Sequence, residues 1–104
     1  MITILYQQRQ GELNTLTVAD RAAAERKLDN LAQGYRAFSA YVVPSASFDC
    51  WNALYQQAIS TDLTDAEGAE YDSLYIGFAV WTPCARTGKK HFKWNVMPRW
   101  SLLA

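Results

Sequence analysis

The alternation of apolar and polar residues predicts how the chain begins. Residues 2–7 place Ile2, Ile4 and Tyr6 on one side of an extended chain, which is typical of a β-strand. A polar turn containing a glycine separates them from residues 13–18, which favour a second strand. The two runs together predict a β-hairpin.

A change to helical spacing follows the hairpin. Ala24, Leu28 and Leu31 recur at i, i+4 and i+7, with charged residues between them, which predicts an amphipathic helix. Thr17 and Asp20 have the spacing of a helix start, with an acidic side chain in the first turn. This helix is the second predicted unit of the fold.

The middle of the chain predicts a buried strand and a second helix. Residues 36–43 are apolar at both alternating sets of positions, which suits a central strand covered on both sides and ended by Pro44. Ser47 can cap a helix with apolar residues at helical spacing over 48–58. Residues 61–72 are polar and acidic and contain Gly68, which favours a loop that can hold a short helical turn.

Two further strands complete the predicted fold. Residues 73–81 and 91–97 have strand patterns, and the segment between them resembles a hairpin loop. The predicted order is ββαβαββ: a single α+β domain over residues 1–104, with an antiparallel sheet of four to five strands and two helices packed on one face.

Composition is that of a packed globular domain. The 104 residues are 50% hydrophobic, with five glycines and three prolines, which excludes collagen, coiled-coil and disordered classes. Cys50 and Cys84 are too few for a disulfide framework and lack zinc-ligand spacing, so we expect both in the core of a protein in a reducing compartment. The first residues resemble neither a signal peptide nor a membrane span, so we expect a cytoplasmic protein.

Charge is segregated along the chain, although ten basic and ten acidic residues balance. Residues 37–85 contain six acidic residues and no Lys or Arg, whereas residues 86–104 contain five basic residues and no Asp or Glu. The neutral total therefore conceals one purely acidic segment and one purely basic segment.

The acidic segment has three interpretations. It can be a solvated loop, a calcium site or a surface that binds a basic partner. The calcium interpretation fails because, counted from Asp62, Gly68 is seventh and no Glu is twelfth, unlike an EF-hand loop. The candidate protein-binding residues are Asp62, Asp65, Glu67, Glu70, Tyr71 and Asp72.

The basic segment gives the alternative function, a nucleic-acid-binding module. Lysines interleaved with aromatic residues on a β-hairpin can contact phosphates and bases. The competing interpretation is that edge strands carry lysines to prevent aggregation while Phe92 and Trp94 face the core. The candidate nucleic-acid-binding residues are Arg86, Lys89, Lys90 and Lys93.

Catalytic and cofactor motifs are not evident. His91 is the one histidine of the chain and could pair with Cys84 across the hairpin, but no third orienting group is identifiable. We therefore expect a protein that is not an enzyme and has no cofactor and no metal site. Tyr71, Tyr75, Trp100 and Leu102 are hard to place inside a core, so we also expect exposed aromatic surface of the kind that anchors interfaces, including homodimer interfaces.

These observations favour a small noncatalytic inhibitor that binds another protein. Its acidic loop and exposed aromatics would block a basic surface of the target, such as a groove that binds nucleic acid. The format is that of phage- or mobile-element-encoded inhibitors, of the anti-CRISPR or anti-restriction type, and of immunity proteins that neutralise toxins.

Overall fold

A computed structural model describes residues 1–8, 13–34, 37–83 and 90–103. Within them lie the strands Ile2–Gln8 (β1), Leu13–Val18 (β2), Ala37–Pro44 (β3), Gly77–Pro83 (β4) and Lys90–Val96 (β5). The helices are Arg21–Gly34 (α1), Phe48–Ser60 (α2) and Asp65–Leu74 (α3), with short 3₁₀ helices at Ser45–Ser47 and Trp100–Leu103.

The strands form one antiparallel sheet in the order β2-β1-β3-β4-β5. The predicted α+β class and antiparallel sheet are therefore confirmed. The strand that is apolar at both alternating sets of positions, β3, occupies the centre of the sheet, as the pattern predicted.

The helices pack on opposite faces of the sheet, and the prediction of both helices on one face was wrong in this respect. Alternate residues of β3 separate two groups of buried side chains: Ala40 and Val42 contact the group beneath α1, and Tyr41 and Val43 contact the group beneath α2 and α3. The α1-side core comprises Ile2, Ile4, Ala24, Leu28, Leu31, Ala40, Val42, Ile76 and Trp81. The aromatic core comprises Leu5, Val43, Trp51 and Tyr75, with half-buried Tyr41, Phe48, Tyr55, Tyr71, Leu74, Phe78 and Val96.

Helix α3, of 10 residues, occupies much of the segment in which a loop with a short helical turn was predicted. Thr64 precedes it as N-cap, and the side chains and backbone N–H groups of Thr64 and Glu67 form a reciprocal capping box. The helix continues to Leu74, so the strand predicted from residue 73 begins only at Gly77. A side chain at Gly77 would meet the Trp94 ring at 2.8 Å, so glycine permits the close approach of that ring.

The starts of α1 and α2 differ from the predicted caps. The Asp20 carboxylate accepts a hydrogen bond from the backbone N–H of Ala23 at 2.9 Å, so Asp20 caps α1 and Thr17 remains in β2. Ser47 precedes α2, but its side chain makes no capping hydrogen bond. Cys50, predicted to lie in the core, is exposed on α2 because the buried positions of that helix are Trp51 and Leu54.

The chain after β5 folds back onto the α1 side. The Trp100 ring packs edge-on against Trp94 with 6.0 Å between centroids, and the Arg21 guanidinium lies 5.2 Å from the centre of the Trp100 ring. Within the described residues, none of the helices has the length and apolar character needed to cross a bilayer.

Candidate protein-binding surface

Four of the predicted contact residues are exposed on α3 and on the loop before it. Asp62 lies in the loop between α2 and α3, and Asp65, Glu70 and Asp72 lie on α3. All four are exposed, and we call them the acidic surface. In the described part of the chain, none of the four carboxylates forms an ion pair, so their charge is available to a partner.

Short side chains lie between these carboxylates. Asp65 and Asp72 are seven residues apart, which places them on one side of α3 and about 10 Å apart along its axis. Ala66 and Ala69 lie between them in sequence and are exposed. Basic side chains of a partner can therefore approach either carboxylate past the short alanine side chains.

Glu67, which the sequence grouped with these carboxylates, instead holds α3 against α2. Its Oε1 accepts a hydrogen bond from the Thr64 backbone N–H at 3.1 Å, and its Oε2 accepts one from Gln57 Nε2 at 2.9 Å. These hydrogen bonds stabilise the ionised form and lower the pKa of the Glu67 carboxyl, the bond to the Thr64 backbone having the largest effect.

Tyr71 also faces inward. Its ring stacks on Trp51 with 5.6 Å between centroids and lies 5.7 Å from Tyr75. Burial raises the pKa of the Tyr71 hydroxyl well above its usual range, and a hydrogen bond with Tyr41 raises it further. Tyr71 therefore fixes the inner side of α3 in the aromatic core, while the acidic surface faces outward.

Tyr41 is the centre of the aromatic core. Its ring lies 4.9 Å from Trp51, 4.4 Å from Phe78 and 5.6 Å from Tyr55, measured between centroids. Burial, followed by the proximity of Tyr41, raises the pKa of Tyr55. Burial is also the main cause of the raised pKa of Tyr75. The sequence did not single out Tyr41 as functional; the relevant signal is a tyrosine on a strand that is apolar on both faces.

A cleft of about 150 Å³ opens beside the aromatic core. It lies where the sheet emerges from under α2, since its lining comes from four strands and from Tyr55 of α2. The lining residues are Leu5, Gln7, Leu13, Ser39, Tyr41, Tyr55 and Phe78. Because none of these side chains is ionisable except the two tyrosines, the cleft carries no charge that would attract an ionic ligand.

Arg99 holds the C-terminal end of α3. Its guanidinium donates hydrogen bonds to the backbone carbonyls of Asp72 and Tyr75 and lies 5.3 Å from the centre of the Tyr75 ring. A cation at this end of a helix complements the helix dipole. Arg99 therefore places a positive charge beside the Asp72 end of the acidic surface and not beside Asp62 and Asp65.

Among the side chains that the structure describes, aromatic rings do not form an exposed patch, contrary to the expectation from the sequence. Tyr75 is only 7% exposed, and each of the aromatic side chains that the structure describes is buried or half-buried. Trp100 packs on the α1-side core, and Leu102 is 39% exposed. The large exposed apolar side chains are aliphatic or Met, with Ile59 and Met97 among the most exposed.

The basic segment lies partly outside the described residues, which exclude Arg86 and Lys89 as well as Cys84. Lys90 and Lys93 lie in β5, where they pair with Pro83 and Val80 of β4. The side chain of Lys93 is exposed. Trp94 contacts the α1-side core. Lys93 and Trp94 thus lie on opposite faces of the strand, whereas stacking of bases beside a phosphate contact requires lysine and ring on one surface.

Comparison with protein-family models, curated proteins and solved structures finds no match to this chain. The functional argument therefore depends on the surface itself.

Proposed function

We propose that this chain is a small noncatalytic inhibitor that binds a basic surface of another protein through the acidic surface of α3 and the loop before it. The observation that carries the proposal is that all the charged residues of the α2–α3 layer are acidic. Residues 37–85 include the whole layer and contain six acidic residues but no Lys or Arg. Four of these six carboxylates form the acidic surface.

Rigidity supports the same proposal. The capping box, the Gln57–Glu67 hydrogen bond, the Tyr71 packing and the Arg99 hydrogen bonds fix α3 at both ends and along its inner side. A charged surface that is already ordered loses little conformational entropy on binding. The proposed target presents Lys or Arg side chains, as a nucleic-acid-binding groove does, and the carboxylates compete there with phosphates. The format agrees with inhibitors of the anti-CRISPR, anti-restriction or immunity type.

The test is affinity capture from a lysate of the source organism or its host, with nuclease treatment, followed by quantitative binding of the captured protein. We expect wild-type chain to retain a stoichiometric protein partner after nuclease treatment. The double variant Asp62→Asn/Asp65→Asn should bind that partner at least about tenfold more weakly, and added salt should weaken the wild-type complex.

The matched control removes two acidic charges from the other side of the molecule. Glu25→Gln/Asp29→Asn changes α1, where Glu25 forms an ion pair with the exposed Arg21. This control should bind like wild type. Equal binding by both double variants would rule out the acidic surface, and a partner lost on nuclease treatment would favour the basic segment with Lys93 instead.

A further inference from the structure

The two edges of the sheet differ in how they resist the addition of another strand. Within the described residues, β2 and β5 are the edge strands, each paired on one side. Strand β5 contains Lys90, His91 and Lys93, and its pairing with β4 has a register shift between Phe78 and Ala79. Charged residues and bulges are features that hinder edge-to-edge pairing.

Strand β2 has none of these features. Its sequence, LNTLTV, contains no charged residue, no proline and no glycine. It pairs with β1 at six consecutive positions without a register shift. Its side chains at Leu13, Thr15 and Thr17 are exposed, because α2 and α3 cover the sheet further from this edge. An uncharged, regular edge strand is a template for a further strand.

We propose that β2 pairs with β2 of a second copy of this chain, in antiparallel orientation across a two-fold axis, which joins two sheets into one of ten strands. A two-fold axis perpendicular to the sheet leaves α1 of both copies on the same face of the joined sheet. Odd-numbered residues of one β2 must therefore lie opposite odd-numbered residues of the other, and even-numbered opposite even-numbered. Two registers satisfy this rule with the largest number of residue pairs. In one, Thr15 lies on the axis opposite Thr15 of the second copy; in the other, Leu16 lies opposite Leu16. Threonine and leucine are well suited to cross-strand pairs.

Charge favours a second copy as the occupant. Because β2 is neutral, its self-pairing places no like charges opposite each other. Each aromatic core extends toward this edge as far as Leu5 of β1, one strand in from β2. At about 4.8 Å between strands, the two cores and the α2–α3 layers above them are on the order of 14 Å apart across the axis, beyond the Debye length of about 8 Å at physiological salt.

This inference does not depend on the proposed function, but the two are compatible. Strand pairing leaves Asp62 and Asp65 of each copy uncovered and on the same side of the joined sheet. A dimer would therefore present two acidic surfaces to a partner. Because six residues form a small interface, we expect a dissociation constant on the order of micromolar.

The experiment is sedimentation equilibrium of the full chain over a range from about 1 to about 500 µM. We expect wild type to change from the mass of one chain to twice that mass as concentration rises. Thr15→Lys places two lysines within about 8 Å of each other in either register and should weaken dimerisation at least about tenfold. Thr15→Val keeps the β-propensity and should dimerise like wild type.

Two further measurements separate pairing from folding. Asn30→Lys adds the same charge to an exposed position of α1 and should leave the dimer intact. Circular dichroism should show Thr15→Lys folded; if it is not, Thr17→Lys is the replacement, with a smaller expected loss. A wild-type chain that stays monomeric throughout, or a folded Thr15→Lys variant that dimerises like wild type, overturns the proposal.

Discussion

The two faces of the sheet use different side chains and face different helices. The α1-side core is mainly aliphatic, and α1 above it carries both acidic and basic residues. The aromatic core is rich in tyrosine, and the α2–α3 layer above it contains no Lys or Arg. Buried aliphatic side chains stabilise the fold and have no polar group that needs a hydrogen-bond partner. Tyrosine hydroxyls, in contrast, must form hydrogen bonds or remain near solvent. We infer that the α1 side mainly stabilises the fold and that the opposite side holds the acidic surface in position.

The largest expected effect tests the aliphatic side. Leu28 is fully buried in the α1-side core, so Leu28→Ala removes apolar contacts and leaves a cavity. We expect the free energy of unfolding to fall by about 2–5 kcal/mol, measured by urea denaturation. Ile59→Ala, at a position 62% exposed on α2, should change it by less than about 0.5 kcal/mol. Equal small losses would mean that α1 does not pack as described.

The next effect compares two buried tryptophans on the two faces. Trp81 Nε1 donates a hydrogen bond to the Leu28 carbonyl at 3.1 Å, which links β4 to α1. Trp51 Nε1 is buried and finds no acceptor among the described residues. Replacement by Phe reduces ring volume at both positions but removes a hydrogen bond only at position 81. Trp81→Phe should therefore cost about 0.5–1.5 kcal/mol more than Trp51→Phe in the free energy of unfolding.

Thermal or urea denaturation of the two Trp→Phe variants side by side provides that comparison, and the difference between them cancels much of the common packing loss. A larger loss at Trp51 would show that the aromatic core, with its stacked Tyr55 and Tyr71 rings, contributes more to stability than the α1 side. The division of roles between the two faces would then be wrong.

The sequence predicted the elements better than their arrangement. Alternation identified the strands because each β-strand presents opposite faces at successive residues, and the helical spacing of Leu28 and Leu31 identified α1. Covering of β3 on both sides was also predictable from its two apolar faces. That observation already implied helices on both sides of the sheet, yet it does not by itself say which helix covers which face.

The full length of helix α3 was missed because its composition is that of a loop. Acidic residues and Gly68 dominate it, and its apolar positions are few. The capping-box spacing from Thr64 to Glu67, with Tyr71 and Tyr75 following at four-residue intervals, was the available signal. The inward orientation of Glu67 and Tyr71 could not be predicted before the helix was recognised, because orientation depends on the helical period.

A smaller effect at alkaline pH concerns the hydroxyl of Tyr71. The folded state raises the pKa of this group above its ordinary value of about 10. Below pH 10 both states hold the proton, so the stabilising contribution is fully present; as pH rises further, the unfolded state loses its proton first and stability falls. Tyr71→Phe should reduce this alkaline loss, and it should lower stability at neutral pH by about 1 kcal/mol because the hydrogen bond with Tyr41 is absent.

Urea denaturation at about pH 8 and about pH 11 measures both parts of the Tyr71 prediction. Tyr6→Phe makes the same chemical change beneath α1, where Tyr6 packs against the aliphatic side, and is the control for loss of a hydroxyl at about pH 8. A Tyr71→Phe variant that loses as much stability as wild type between the two pH values would contradict the raised pKa of Tyr71.

The smallest effect separates the structural carboxylate of α3 from the exposed ones. The hydrogen bonds to Thr64 and Gln57 lower the pKa of Glu67 in the folded state. Its contribution to stability is therefore present above the ordinary Glu pKa and is lost as pH falls through the lowered value. Glu67→Gln should therefore flatten the acid side of the stability profile.

Binding of the partner should be weakened by Asp65→Asn and not by Glu67→Gln, because only Asp65, at an exposed position on the same helix, belongs to the acidic surface. A Glu67→Gln variant that loses binding as strongly as Asp65→Asn while its melting profile stays that of wild type would place Glu67 in the contact and not in the support of α3.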